Sequence, residues 1–144
     1  MTFFDHPYHP LTVHFPIAFY FLGVLLTLLY LWRNQPDYER FAYLTFLLSW
    51  LAAGVASLVG LVDQNQLEVA DPRRTQLNQH ITAGVILIIM NGLVVYMRFR
   101  WPDVLTRHRW PYLGLMTLGI IAVVATAWLG GELVYRWRVG LISN

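Results

Sequence analysis

Four stretches of nearly unbroken apolar residues dominate the chain: about Pro10 to Trp32, Phe41 to Val62, Gln79 or His80 to Met97, and Pro111 to Tyr135. Each is close to the roughly 20 residues that a helix needs to cross the hydrocarbon core of a bilayer. The connections carry turn and breaker residues: Arg33-Asn34-Gln35-Pro36-Asp37, Asp71-Pro72-Arg73-Arg74 and Trp101-Pro102-Asp103. Long helices joined by short loops run antiparallel, so the pattern predicts an all-α, up-down four-helix membrane bundle with residues 1–144 as one domain. The first apolar run lacks a basic leader and a small-residue cleavage site, so it reads as a span and not as a signal peptide.

Composition agrees with that class. The chain is 57% hydrophobic and 12% charged over 144 residues, against about a quarter charged in ordinary soluble domains. It contains no Cys, which removes disulfides, thiolate metal sites, iron–sulfur clusters and covalent c-type haem from consideration. The formal charge of +2 is too small and too scattered for nucleic-acid binding. Serines Ser49, Ser57 and Ser143 lie in no nucleophile pattern, and mid-span charge and inverted repeats, the marks of a transporter, are missing. A stand-alone enzyme is not indicated.

The arginines orient the bundle. Loops one and three hold Arg33, Arg40, Arg98, Arg100, Arg107 and Arg109, whereas the N-terminal arm, loop two and the tail share Arg73, Arg74, Arg136 and Arg138. This bias puts both termini outside the cytoplasm of a bacterial inner membrane.

Threading four alternating spans gathers polar residues that the linear sequence separates. His6, His9 and His14 lie at the start of span one, Asp63 at the end of span two, His80 at the start of span three, and Glu132 with Arg136 at the end of span four. All fall at one membrane face; His108 alone lands on the other, as a solvated loop residue. On span three, Gly84, Leu87 and Asn91 fall within about 40° of His80 around the helix, so this stripe faces protein. Gly119, Ala122, Thr126 and Gly130 form a small-residue ridge on span four, and Ala53, Ser57 and Gly60 another on span two. Such ridges let helices pack closely in lipid; beside an inward histidine, glycines also leave room for a flat macrocycle.

Span one is less regular, because Pro16 removes a backbone donor and kinks or starts the helix there. His9 and His14 are about 140° apart on a helix and cannot both face one ligand. His14, the deeper, is the expected inward residue, and His9 is left at the interface. Each polar residue also has a plainer role. His14 or His80 can bond a carbonyl or Asp63, Asp63 can cap span two or orient a histidine, and Glu132 can pair with Arg136 four residues on.

The stretch H-P-L-T-V-H-F-P-I-A, the G-L-V-D at 60–63, the lone His80 and the ending G-G-E-L-V-Y-R-W-R-V-G-L resemble a domain-of-unknown-function family of four-helix bacterial membrane proteins, along the whole chain. The resemblance implies a redox context, since such proteins are sometimes fused to Rieske-type domains or encoded near redox proteins. Trp137-Arg138 stands where the family more often shows a His-Gly-like pair, which speaks against a ligand from the tail.

Two functional expectations result. In the first, the chain is a b-type haem electron-transfer module. His14 and His80 hold the iron, Gly84 and Gly130 border the porphyrin, and Arg136, Arg73 or Arg74 pair the propionates; His9, Asp63, Glu132 and Asn91 support them. Partners would be lipid, other subunits of a respiratory or photosynthetic complex, and a quinone or extracytoplasmic redox protein. In the second, the chain is a cofactor-free accessory or scaffold subunit with the polar cluster as a structural network. An intermediate version places a Zn or Cu ion on His14, His80 and Asp63 or Glu132.

Overall fold

The computed structural model describes residues 8–63 and 70–139, which form helices joined by short turns and irregular connections. The helices are α1 His9–Thr12, α2 His14–Arg33, α3 Pro36–Asp63, α4 Arg74–Arg100, α5 Val104–Arg107 and α6 Arg109–Tyr135. Four segments are long and apolar enough to cross a membrane: His9–Arg33, Pro36–Asp63, Arg74–Arg100 and Arg109–Tyr135. The expected all-α four-span membrane bundle is the fold.

The helices outrun the apolar stretches that announced them. Pro36 opens α3 with Asp37 and Glu39 in its first turn, where fixed φ and negative charge suit a helix N-terminus. Arg98 and Arg100, assigned to a loop from hydropathy, complete the last turn of α4, where cations meet the negative end of the helix dipole. Hydropathy detects only the hydrocarbon-length part of each helix. The short α5 was missed altogether; it buries Val104 and Leu105 beneath the bundle.

Both prolines of span one act as their chemistry requires. Pro10 sits in the first turn of α1, and Pro16 has no N–H to continue the ladder, so α1 stops at Thr12 and α2 restarts at His14. Asn34, left-handed at φ 52°, closes α2 by donating its N–H to Tyr30 O.

Two hairpins form the bundle. α2 packs mainly on α3 and α4 on α6, α3–α4 is the larger seam between them, and α1 lies against α3. The core runs through Tyr20, Phe46, Val94, Tyr112, Met116 and Val123. Tyr20 meets Phe46 edge-on at 5.2 Å, and Gly23 gives the Phe46 ring room against α2. Large apolar side chains such as Leu25, Leu51, Ile89 and Ile121 point outward, as a lipid-facing surface requires.

The α2–α6 contact is narrow and depends on one glycine. Tyr20 is fully buried and donates its hydroxyl to Met116 O at 3.0 Å, and a Cβ on Gly119 would collide with that hydroxyl. Gly119→Ala is therefore expected to destabilise the detergent-solubilised protein by about 1–3 kcal/mol through overpacking. Gly114→Ala, where a Cβ meets open space, is the comparison and should leave the melting temperature unchanged or raised. Equal melting temperatures for the two variants would contradict the packing described.

Candidate functional site

The face that gathers the polar residues is built from four helices. The N–H of His9, in the half-buried first turn of α1, is the kind of donor a helix start leaves unpaired. Asp63, at the end of α3, reaches across and accepts it at 2.8 Å. One carboxylate thus caps a helix other than its own, and pins α1 to α3 near the membrane surface. The His9 ring continues inward, where Nδ1 donates to Ala56 O at 2.8 Å and the ring edge fills the space over Gly60.

His80 mirrors this arrangement from the other hairpin. Its Nδ1 donates to Thr126 O on α6 at 3.1 Å, and its ring lies over Gly130. A carbonyl only accepts, so both Nδ1 atoms carry the proton and both Nε2 atoms carry a lone pair. Those two Nε2 atoms face each other at 3.5 Å, with ring centroids 5.8 Å apart and planes at 78°.

His9 rather than His14 therefore opposes His80, which corrects the sequence expectation. His14 opens α2 on the exposed side. The signal was present in the sequence: His9 shares a helical stripe with Pro16, Tyr20, Gly23 and Thr27, all buried on α2. Thr27 lies 18 residues from His9, which is about five full turns. His14 is two residues from Pro16 and so about 160° away from it around the helix. Depth misled where periodicity would have decided.

The other candidate residues are distributed more widely. Asn91 is fully buried but some eleven residues along α4 from His80, roughly 16 Å by helical rise. It donates to Ser49 Oγ at 2.8 Å, and Ser49 donates to Pro16 O at 2.8 Å, so it locks the bundle centre and does not attend the histidines. Glu132 pairs with Arg136 at 3.4 Å on the surface, the plain i, i+4 role. Arg73 is engaged by Asp71 through contacts of 2.5–3.1 Å. Arg74 opens α4. His6 lies outside the described residues. At the opposite face His108 is half-buried against Trp101, ring centroids 5.5 Å apart, so it is not simply solvated. Sequence reasoning missed the ion pair there between Arg98 and Glu39, 2.6 Å long with side chains 12% and 18% exposed. Its signal was a charge near each of two facing helix ends.

The glycines do not leave space for a macrocycle here. Gly60 and Gly130 are covered by the imidazoles themselves, while Gly84 has nothing within 4 Å of a Cβ and does not border His80. Two axial metal–nitrogen bonds laid end to end measure about 4 Å, longer than the 3.5 Å between the nitrogens. A porphyrin does not fit this arrangement. The three-donor Zn or Cu set is not assembled either, since no group of three or more His, Asp or Glu suited to a metal gathers among the described residues. Three buried side-chain oxygens in the described residues, Gln76 Oε1, Asn91 Oδ1 and Thr126 Oγ1, have no hydrogen-bond partner.

Residues 5–143 match the family model described as "Predicted membrane protein (DUF2231)", and the chain belongs to that family. No curated protein matches the chain, and no solved structure does.

Two expectations test the local chemistry. Asp63→Ala removes the cap from α1 and should cost about 1 kcal/mol, read as faster amide exchange over residues 9–13; unchanged exchange would remove the cap assignment. Asp71 is drawn down to about 2, first by its hydrogen bonds to Arg73 and then by the nearby guanidinium charges. A depressed carboxylate pKa contributes order above its ordinary value and loses it as pH falls through the folded one. NMR titration should therefore find the Asp71 midpoint near 2, and Arg73→Ala should return it toward 3.8.

Proposed function

We propose that this chain is a rigid accessory subunit of a bacterial inner-membrane complex, with both termini outside the cytoplasm. The supporting observation is that the principal helix seams each carry a polar lock. Asp63 and Ala56 O hold α1 to α3, Ser49 and Pro16 O join α2 to α3, and Tyr20 and Met116 O join α2 to α6. Asn91 with Ser49, and Arg98 with Glu39, join α3 to α4, while His80 and Thr126 O join α4 to α6. Hydrogen bonds between helices in lipid are individually modest, about 0.6 kcal/mol on average. Their value lies in register, because a slipped helix strands a donor in hydrocarbon. A bundle so fixed presents an unchanging outer surface on which partner helices can assemble.

The electron-carrier reading competes for the same bundle and draws on the opposed histidines. It requires the two hairpins to part at that end. One experiment separates the readings: native-gel and crosslinking analysis of the tagged chain expressed in its own membrane, with a reduced-minus-oxidised visible spectrum of the same haem-replete preparation. The expected result is a discrete complex larger than the chain itself, with no b-type absorbance belonging to this subunit. A lone chain in the gel overturns the accessory role. A haem spectrum that disappears in His80→Ala restores the carrier.

A further inference from the structure

At the membrane face opposite the histidines, the seam between the two hairpins opens into a cleft of about 320 Å³, lined by Glu39, Arg40 and Tyr43 of α3 and by Arg98 and Phe99 of α4. That volume falls at the lower end of the range of small-ligand sites, about 300–1,000 Å³. The charges within it do not balance. Arg98 is spent: one terminal nitrogen meets Glu39 at 2.6 Å and the other donates to Pro102 O. Glu39 is thereby neutralised. Arg40 is exposed and enters no ion pair among the described residues, so the cleft keeps one net positive charge. Tyr43, half-buried in the same cleft, adds a neutral hydroxyl donor. A guanidinium beside a hydroxyl is a donor set suited to phosphate oxygens.

Depth indicates where such a phosphate comes from. Arg40 directly precedes the apolar run of α3, and Arg98 directly follows that of α4, so the cleft lies where hydrocarbon gives way to headgroups. From Arg40, the positions of Tyr43, Leu47 and Trp50 continue into the membrane at helical spacing. Trp50 lies against Gly92 of α4, where a Cβ would sit 2.9 Å from its Nε1. That contact runs this face of α3 along the α3–α4 seam, which is packed less extensively than the interior of either hairpin. An apolar track, half-buried at Leu47 and 38% exposed at Trp50, thus leads from the charged cleft toward the membrane centre. A soluble anion has no use for such a track, whereas a headgroup with an acyl chain does.

We infer that this cleft binds one phospholipid of single negative charge, its phosphate on Arg40 and Tyr43 and an acyl chain along the seam past Leu47 and Trp50. Basic pockets between transmembrane helices recognise anionic headgroups. One uncompensated guanidinium matches a monoanionic headgroup, while a zwitterionic one brings an amine that repeats the charge of Arg40. The bound lipid joins the two hairpins at the end of the bundle away from His9 and His80. This role is independent of the accessory function.

The test uses the full chain, delipidated in detergent and titrated with dioleoylphosphatidylglycerol, dioleoylphosphatidylethanolamine or soluble glycerol 3-phosphate. Native mass spectrometry counts what each chain retains. One phosphatidylglycerol per chain is expected at ratios where the other two probes leave the chain bare. Arg40→Gln should weaken its binding about fivefold. Arg33→Gln removes an equal charge outside the cleft, where Arg33 stacks on Trp32 at 4.2 Å, and should leave binding unchanged. Wild-type protein that retains no phosphatidylglycerol, or that retains both lipids equally, overturns the site. An equal loss in the two variants overturns it as well, since attraction would then be diffuse. Glycerol 3-phosphate bound as tightly as the lipid overturns it in favour of a soluble-anion site.

Discussion

Hydrocarbon offers a polar group no solvent, and nearly every feature of this bundle answers to that constraint. A donor or acceptor inside the membrane is costly without a partner in the protein, and few buried side-chain oxygens of the described spans, Asn91 Oδ1 and Thr126 Oγ1 among them, lack one. Threonines such as Thr27 and Thr117 turn back to carbonyls of their own helix, whereas the bonds that join helices use a backbone carbonyl of another: Pro16, Ala56, Met116 and Thr126 all serve in this way. Carbonyls already engaged within a helix retain a second lone pair, so these bonds add helix-to-helix connections without dismantling the helices. The close approach they require is supplied by glycines at 60, 119 and 130. Small residues and polar residues are therefore two halves of one device.

The sequence made the larger architecture readable because spanning length is a physical threshold that apolar runs either meet or miss. It also made the α4 stripe readable: Leu87 and Asn91 are buried as periodicity requires. The gathering of His9, Asp63 and His80 at one end followed from antiparallel threading alone. What escaped was anything decided by side-chain direction at an irregular point. Pro16 breaks the first span, and choosing between His9 and His14 required carrying the buried stripe of α2 back across that break. The Arg98–Glu39 pair escaped because charges at helix ends look like loop charges until the helix is seen to extend through them. Gly84 escaped in the opposite sense, lying on the correct stripe with nothing packed against it.

The candidate site depended on reading donors and acceptors as well as proximity. Two histidines near one another are unremarkable in a membrane bundle; here both Nδ1 atoms are engaged by backbone carbonyls and the two Nε2 atoms face each other. Asp63 contributes by placing α1, its carboxylate spent on the His9 N–H. The residues that a reader of the sequence would group as one cluster thus divide into those that set geometry and those that present lone pairs.

The arrangement of the bundle as two hairpins also bears on the order in which it is made. α2 with α3, and α4 with α6, form their main contacts within each hairpin, so each is available to close as it leaves the insertion machinery, at small loop-closure cost. The meeting of His9 with His80 spans 71 positions and joins the first turn of the first hairpin to the first span of the second. It becomes possible only after the third span is in place. His9 thus waits for a partner made 71 positions later, and the completed contact distinguishes docked hairpins from hairpins merely inserted side by side.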